Sequence, residues 1–365
     1  MKVVKSNHTR SEEVIKQAIE VLNAGGLVIF PTETTYGAGV DATNQAAVDK
    51  LLAYKSRREG KPLSIAVPDQ TSAEEYVELN DSARNLYARF LPGPVTVVSK
   101  SKGQVAQGVA SEFGTVGVRI PDYPLMLELL RAFGKPITAT SANASNAKRP
   151  YSIEDIFDGL SGKQKNLIDF IIDAGELPHN EPSTVIDTTL STPITLRERN
   201  AGQTLEKDGN SEQTVLHSFN PDETQELAGR LMLKHWNDIR DRGLVVGLDG
   251  ALGTGKTIFT KGVAEFLGIK ETIVSPTYSY CEEYAFERHG VSGKLLHCDA
   301  WKVDEQEVFE KLALDEYMKP KNVVVIEWWS QVATWIKPEL PVVHITFNEV
   351  GEGERTISIE ERWSK

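Results

Sequence analysis

Cysteine and long apolar runs are what this chain of 365 residues most conspicuously lacks. Cysteine occurs twice, at Cys281 and Cys298. The two could pair in principle, but in a reducing compartment the expected state is a pair of free, buried thiols, and a zinc site is not supported. No apolar run approaches the length of a bilayer crossing, and the first residues, Met1-Lys2-Val3-Val4-Lys5-Ser6-Asn7-His8, have no continuous apolar core of the kind a signal peptide needs. The expectation is therefore a cytoplasmic protein with no membrane partner. Positive charge is also in short supply: the net charge is −12, with 22 Lys+Arg against 24 Asp+Glu up to residue 205 and 18 against 28 beyond it. Such acidity argues against free-standing nucleic-acid binding by the second part and leaves a local basic pocket open in the first.

What is present is ordinary for a folded enzyme: 40% hydrophobic and 25% charged residues over a length that suits two or three domains. The most legible stretch is Gly250-Ala251-Leu252-Gly253-Thr254-Gly255-Lys256-Thr257. Glycines let the backbone curl so that successive N–H groups face a polyphosphate, Lys256 supplies a cation, and Thr257 offers a hydroxyl to Mg2+. An apolar run at 244–248 precedes it and an amphipathic segment with Phe259, Val263 and Leu267 follows, the strand, loop and helix order that a phosphate cradle requires.

The first part reads as alternating helices and strands. Helical spacing over 11–25 stops at Gly25-Gly26, a buried-strand run at 27–30 follows, and it opens into Pro31-Thr32-Glu33-Thr34-Thr35-Tyr36-Gly37. Residues 41–52 predict a helix that runs into Lys55-Ser56-Arg57-Arg58-Glu59-Gly60-Lys61-Pro62, where four cations fall on a stretch broken by Gly and Pro. Such a loop suits a multiply charged anion or is simply exposed surface. Leu91-Pro92-Gly93-Pro94 turns into a strand, and Arg119 sits inside the apolar run 115–121, so that either a structural carboxylate or an anionic ligand must meet it. The run 136–145 ends a strand in the small polar residues Thr140, Ser141, Asn143 and Ser145.

Taken in order, residues 31–37, Lys55-Ser56-Arg57 with Lys61-Pro62-Leu63, Pro92-Gly93-Pro94-Val95-Thr96, Gly117-Val118-Arg119-Ile120-Pro121, Thr140-Ser141-Ala142-Asn143, Pro182-Ser183-Thr184-Val185-Ile186-Asp187 and Arg197 resemble the TsaC/YrdC family. The resemblance implies a twisted open α/β sheet over residues 1–205 and synthesis of threonylcarbamoyl-AMP and pyrophosphate from L-threonine, bicarbonate and ATP. It implies that Lys55, Arg57 and Lys61 neutralise the phosphates, that Ser141 and Asn143 hold them, and that Arg119 with Thr32 and Ser183 takes the threonine. Thr140 and Arg197 belong to the same substrate-binding set. Arg58 stands where the family commonly has Pro, and Asn146 where it commonly has Gly.

Residues 206–216 are poor in apolar side chains and read as a linker to a second α/β domain over 217–365. There the cradle, Ser275-Pro276-Thr277-Tyr278, His297-Cys298-Asp299 and the strand 322–327 ending in Glu327-Trp328 resemble TsaE, a P-loop ATPase of the same tRNA-modification pathway. That likeness implies that Gly250, Gly253, Thr254 and Gly255 cradle ATP and that Lys256 meets its β/γ-phosphates. Thr257, Asp299 and Glu327 would surround Mg2+, Thr277 would sit on a nucleotide-sensing loop, and Trp328 would lie near the site. Lys256 and Glu327 are its catalytic candidates. Two ATP sites are expected, with TsaB and TsaD as partners and tRNA reached through their complex. A nucleotide- or double-stranded-RNA-binding module joined to a P-loop switch, and a P-loop kinase with an anion-binding appendage, remain open alternatives.

Overall fold

Val14, Ile15, Ala18 and Leu22 line one face of the helix α1 (Ser11–Asn23), and the first sheet is packed against that face. The computed structural model describes residues 1–6, 11–56, 62–144, 148–190, 193–197, 214–276, 279–336, 340–351 and 354–362. The chain divides into two compact units, Met1–Thr189 with Pro193–Thr204, and Leu190–Thr192 with Leu205–Lys365. Of the expected linker, residues 206–213 lie outside the described residues, while 214–216 are part of a strand that pairs within the second unit.

In the first unit the strands are β1 (Lys2–Lys5), β2 (Leu27–Pro31), β3 (Tyr36–Gly39), β4 (Ser64–Ala66), β5 (Val77–Glu78), β6 (Val95–Ser101), β7 (Thr115–Arg119), β8 (Ile137–Ser141), β9 (Ile168–Asp173), β10 (Thr184–Asp187) and β11 (Ile194–Arg197). They form one sheet in the order β1-β9-β2-β3-β8-β4-β7-β6-β10-β11, with β5 paired to β6. The sheet is mixed: β1 with β9, β2 with β9, β4 with β7 and β6 with β10 are parallel, and the other pairs are antiparallel. The predicted helix at 41–52 begins later, as α2 (Gln45–Lys55). Asn44 caps it by accepting from the Ala47 amide, while Asp41 is drawn into a bridge with Ile137. Two further helices, α3 (Gln70–Glu74) and α4 (Asp81–Phe90), precede α5 (Pro124–Phe133), which joins α1 over Phe30, Ile137 and Phe170. Truncating a fully buried aromatic such as Phe170 costs about 3–5 kcal/mol.

The second unit holds β12 (Thr214–Ser218), β13 (Leu244–Gly250), β14 (Cys281–Arg288), β15 (Val291–Asp299), β16 (Val323–Glu327), β17 (Val342–Gly351) and β18 (Glu354–Arg362), ordered β12-β18-β17-β13-β16-β15-β14. The inner four strands are parallel, so their C-terminal ends gather on one edge, where open α/β sheets bind ligands. The helix Lys256–Leu267 follows β13, and Pro221–Lys234, capped by Asn220, packs beside it. Around Val245, Leu296, Ile326 and Trp329 lies the unit's core.

One expectation is corrected here. Cys281 and Cys298 are not free: they form a disulfide across β14 and β15. His289 and Gly290 take the two left-handed positions of a two-residue hairpin turn, and the resulting register sets the cysteines opposite each other with Cα atoms 4.1 Å apart. Composition alone could not show that residues 17 apart in sequence become cross-strand neighbours.

Candidate functional sites

In the first unit α2 ends by aiming Lys55 inward. The side chain is 2% exposed, and its Nζ donates to the carbonyl oxygens of Ser141 (2.8 Å) and Asn143 (2.6 Å). Tyr54 on the same turn donates its hydroxyl to the carbonyl of Ala142. Two successive helix residues thus hold three consecutive carbonyls, those of the last residue of β8 and the first two of the loop that follows it. Within that loop the Ser141 hydroxyl donates to Asn143 Oδ1 at 2.6 Å. Thr140 and Ser141 pair with Ala38 and Gly37 of β3, and the Ala142 amide donates to Tyr36 O. This places the loop at the same sheet edge as the turn at 32–35, which leads into β3.

That turn is organised by Thr32, whose hydroxyl donates to Thr35 O at 2.6 Å and accepts from the amides of Thr34 and Thr35. Glu33, inside it, is the carboxylate that meets Arg119: Nη2 donates to Oε1 and reaches Thr34 Oγ1 at 3.4 Å. The pair is mostly buried, at 13% and 14% side-chain exposure, yet Arg119 Nε and Glu33 Oε2 have no hydrogen-bond partner among the described residues. Two buried polar atoms left unsatisfied mark a place where a polar ligand fits. The neighbouring strand pair brings Ser183 to the Thr96 hydroxyl, 3.1 Å away. Arg57 and Lys61 lie outside the described residues, and Arg197 falls in β11 with its side chain undescribed. A cavity of about 510 Å3 in this unit is lined by Asp155, Asp173 and Glu176 with Lys148, contains none of the predicted residues, and has the wrong sign for phosphate.

In the second unit the loop after β13 curls as its glycines allow. Gly250, Gly253 and Gly255 have φ of 144°, 84° and 110°, and a Cβ at Gly250 would lie 2.7 Å from Phe347 O. Lys256 turns back over this loop, its Nζ donating to the carbonyls of Gly250 (2.7 Å) and Ala251 (2.9 Å) and lying 4.3 Å from the Trp328 ring centroid. Burial lowers its pKa from the usual lysine value, against the opposing pull of Glu327, Asp299 and Asp249. Thr257 Oγ1 donates to Glu327 Oε1 at 2.8 Å. Asp299 pairs with Glu327 in the β15–β16 register, and both carboxylates are buried. Two buried acids and a hydroxyl on adjoining elements form an incomplete oxygen shell, which suits a hard divalent ion such as Mg2+ that keeps waters and phosphates among its ligands. Thr277 lies outside the described residues.

Three residues gain a role only from the structure: His297, which the sequence offers as part of a motif with no task of its own, Asp249 and Arg355. His297, fully buried, reaches Glu327 Oε1 with Nε2 at 2.9 Å, and its Nδ1 has no partner among the described residues. Glu327 is thereby oriented from two sides; the available signal was a polar residue two positions before Asp299, on the same face of the strand and just after the apolar pair Leu295-Leu296. Asp249, just ahead of the cradle, is held by His344 and by the amide and hydroxyl of Ser330. Burial alone would raise its pKa, but these contacts bring it below the usual value. Third, Arg355 packs on Gly255. Among the described residues no group of three or more His, Cys, Asp or Glu side chains could hold a metal, and no helix is long and apolar enough to cross a membrane.

Comparison with known proteins places both units. Residues 20–199 match the Sua5/YciO/YrdC family model, described as telomere recombination, and residues 218–357 match that of threonylcarbamoyl adenosine biosynthesis protein TsaE. A putative threonylcarbamoyl-AMP synthase of Methanocaldococcus jannaschii is 34% identical over 198 residues, 54% of this chain and 91% of the relative. Threonylcarbamoyl-AMP synthases of Pyrococcus abyssi and Bacillus subtilis are each 35% identical over 54% and 50% of this chain, which spans only 57% and 52% of their lengths. The crystal structure of P. abyssi Sua5 complexed with L-threonine shares the fold at 22% identity and a TM-score of 0.51, covering 90% of this chain and 92% of that one. The second unit matches the TsaE family model, and the chain belongs, through its first unit, to the Sua5/YciO/YrdC family.

Proposed function

We propose that the chain carries two ATP-consuming centres serving the formation of threonylcarbamoyladenosine in tRNA. The first makes threonylcarbamoyl-AMP and pyrophosphate from L-threonine, bicarbonate and ATP. The carbamate carboxylate of threonine attacks the α-phosphorus, the bond to the β-phosphate oxygen breaks, and pyrophosphate leaves with its electron pair. Ser141 and Asn143 bind the phosphates, while Lys55, with Arg57 and Lys61, supplies the positive charge against which negative charge gathers. Arg119, Thr32 and Ser183 orient threonine, with Thr140 and Arg197 completing the pocket. The orphaned Arg119 Nε is a donor available to an α-carboxylate, and the orphaned Glu33 Oε2 an acceptor available to an α-ammonium.

The second centre hydrolyses ATP to ADP and phosphate, in support of a TsaB–TsaD transferase that uses the adenylate. Gly250, Gly253, Thr254 and Gly255 present amides to the phosphates, Lys256 leaves its carbonyl perch for the β/γ-phosphates, and Thr257, Asp299 and Glu327 hold Mg2+. That ion, when bound, screens the phosphate oxygens. Glu327, oriented by His297 and Thr257, is the acceptor that positions the attacking water, Thr277 senses the nucleotide, and Trp328 flanks it. Carriage of both centres on one chain raises the local concentration of each near the partners of the other.

The observation that carries this reading is the pair of buried lysines, each lodged on the carbonyls of a small-residue loop at a strand end. Pyrophosphate release that requires threonine and bicarbonate together, with ADP formed independently of both, is the expected result. Pyrophosphate formed without threonine, or none at all, overturns the synthase assignment. tRNA left unmodified when the chain is added to TsaB and TsaD lacking a separate synthase and ATPase overturns the coupled role.

A further inference from the structure

We infer that Arg355 is a nucleotide-binding residue of the second unit, gripping the α-phosphate end of the ATP held by the cradle. The inference rests on the P-loop reading above and extends it to the flank of the site that the motifs do not cover.

Strand order sets the direction of the bound nucleotide. β13 feeds the cradle from the middle of the sheet; β16 and β15, which end in Glu327 and Asp299, lie on one side of it, and β17 with β18 on the other. Thr257 bonded to Glu327 fixes the acidic flank as the β/γ-phosphate side. The remainder of the nucleotide must then run toward β17 and β18. On that flank Gly250 pairs with Phe347, and Arg355 stands opposite Glu349 near the start of β18. Its side chain reaches the cradle: a Cβ built on Gly255 would lie 2.4 Å from Arg355 Nη1 and 3.5 Å from Cζ. The guanidinium therefore lies against the bare Cα of the residue that caps the Lys256–Leu267 helix. Nη1 is also 3.5 Å from the Thr224 hydroxyl.

A planar fork of donors at the mouth of an amide cradle matches phosphate oxygens in a way that lysine cannot reproduce. Gly255 is needed twice over, for its φ of 110° and because any side chain would displace the guanidinium. Since charge develops at the γ-phosphate during hydrolysis, a contact at the α end strengthens ground state and transition state alike.

The test uses the whole chain in a Lys55→Ala background, which silences the nucleotide site of the first unit, and compares Arg355→Ala, Arg355→Lys and Lys256→Ala. Titrations with ADP and with ATP should show Arg355→Ala weakening both by the same factor, about tenfold to a hundredfold. Arg355→Lys should recover part of the loss. The KM for ADP-forming hydrolysis should rise by that factor with kcat within about twofold, and the thermal midpoint of the nucleotide-free protein should not move. Loss of ATP but not ADP affinity, a fall in kcat at unchanged KM, or unaltered binding overturns the inference. ADP binding that needs Lys256 but not Arg355 sinks this inference alone, whereas ADP binding that survives Lys256→Ala sinks the P-loop reading with it.

Discussion

Lys55 and Lys256 end in the same kind of place, an ammonium donating to two backbone carbonyls at the end of a strand, but they arrive by opposite routes. Lys256 folds onto its own loop, five and six residues back. Lys55 crosses to a loop 86 and 88 residues further on, and depends on β3 and β8 pairing correctly before it has anything to hold. The first arrangement is specified by an eight-residue motif and can be carried from one fold to another. The second exists only once its sheet is assembled. A phosphate site made of amides is portable; one made of distant side chains belongs to its fold.

Exchanging the two lysines' roles is the severest way to break this comparison. Lys55→Ala should lower threonine-dependent pyrophosphate release about 100-fold or more and leave ADP formation alone, and Lys256→Ala should do the reverse. Parallel assays of both products check this, and crossed losses would mean that the centres are not separate. Because Lys55 also holds the loop at 141–143, its variant should lower the melting temperature of the first unit as well. Lys256→Ala should move that of the second unit less.

Stability separates the halves next. Both cysteines lie in the second unit, so reduction of the Cys281–Cys298 disulfide, or Cys281→Ser with Cys298→Ser, should destabilise that unit by about 3 kcal/mol, the cost of a loop of this size. The unfolding transition of the first unit should stay in place, as calorimetry with and without reductant will show.

The smallest expected effect is on pH response. Burial would raise the pKa of Glu361, but His235 and Lys234 bring it from 4.5 to about 2. Its contribution is therefore present above pH 4.5 and is lost as pH falls toward 2. For His235 burial would lower the value, yet Asp238 and Glu361 overcome it and the net shift is upward from 6.5. That contribution is complete below pH 6.5 and is lost as pH rises through the higher folded value. Glu361→Gln should cost about 2 kcal/mol near pH 6 and flatten both limbs of the second unit's melting profile. A profile unchanged by the substitution would show that the pair carries no net stabilisation.

The same contrast governs how much could be read in advance. The helix at 11–23, the strand at 27–31 and the whole strand, loop and helix of the cradle follow from periodicity and glycine placement, because each depends on neighbours in sequence. The Arg119–Glu33 pair bridges 86 residues, and only the need for some counter-charge was legible, not its source. The contact of His297 with Glu327 and the place of Arg355 were not legible for a related reason: a histidine inside a strand and an arginine in a terminal hairpin acquire their partners from strand order, which local pattern does not encode. The disulfide depends on the hairpin register that sets Cys281 opposite Cys298, which the number of cysteines does not encode.

Trp328 sits between Lys256 and Trp301, with the ammonium 4.3 Å from its ring centroid and the second indole 4.2 Å away. An excited indole responds to a charge at that range, so drawing the lysine toward incoming phosphates changes the field across the ring. Arrival of nucleotide will thus register in the intrinsic ultraviolet emission of the protein, with no dye attached, and the first unit, which has no tryptophan, stays dark in the same channel.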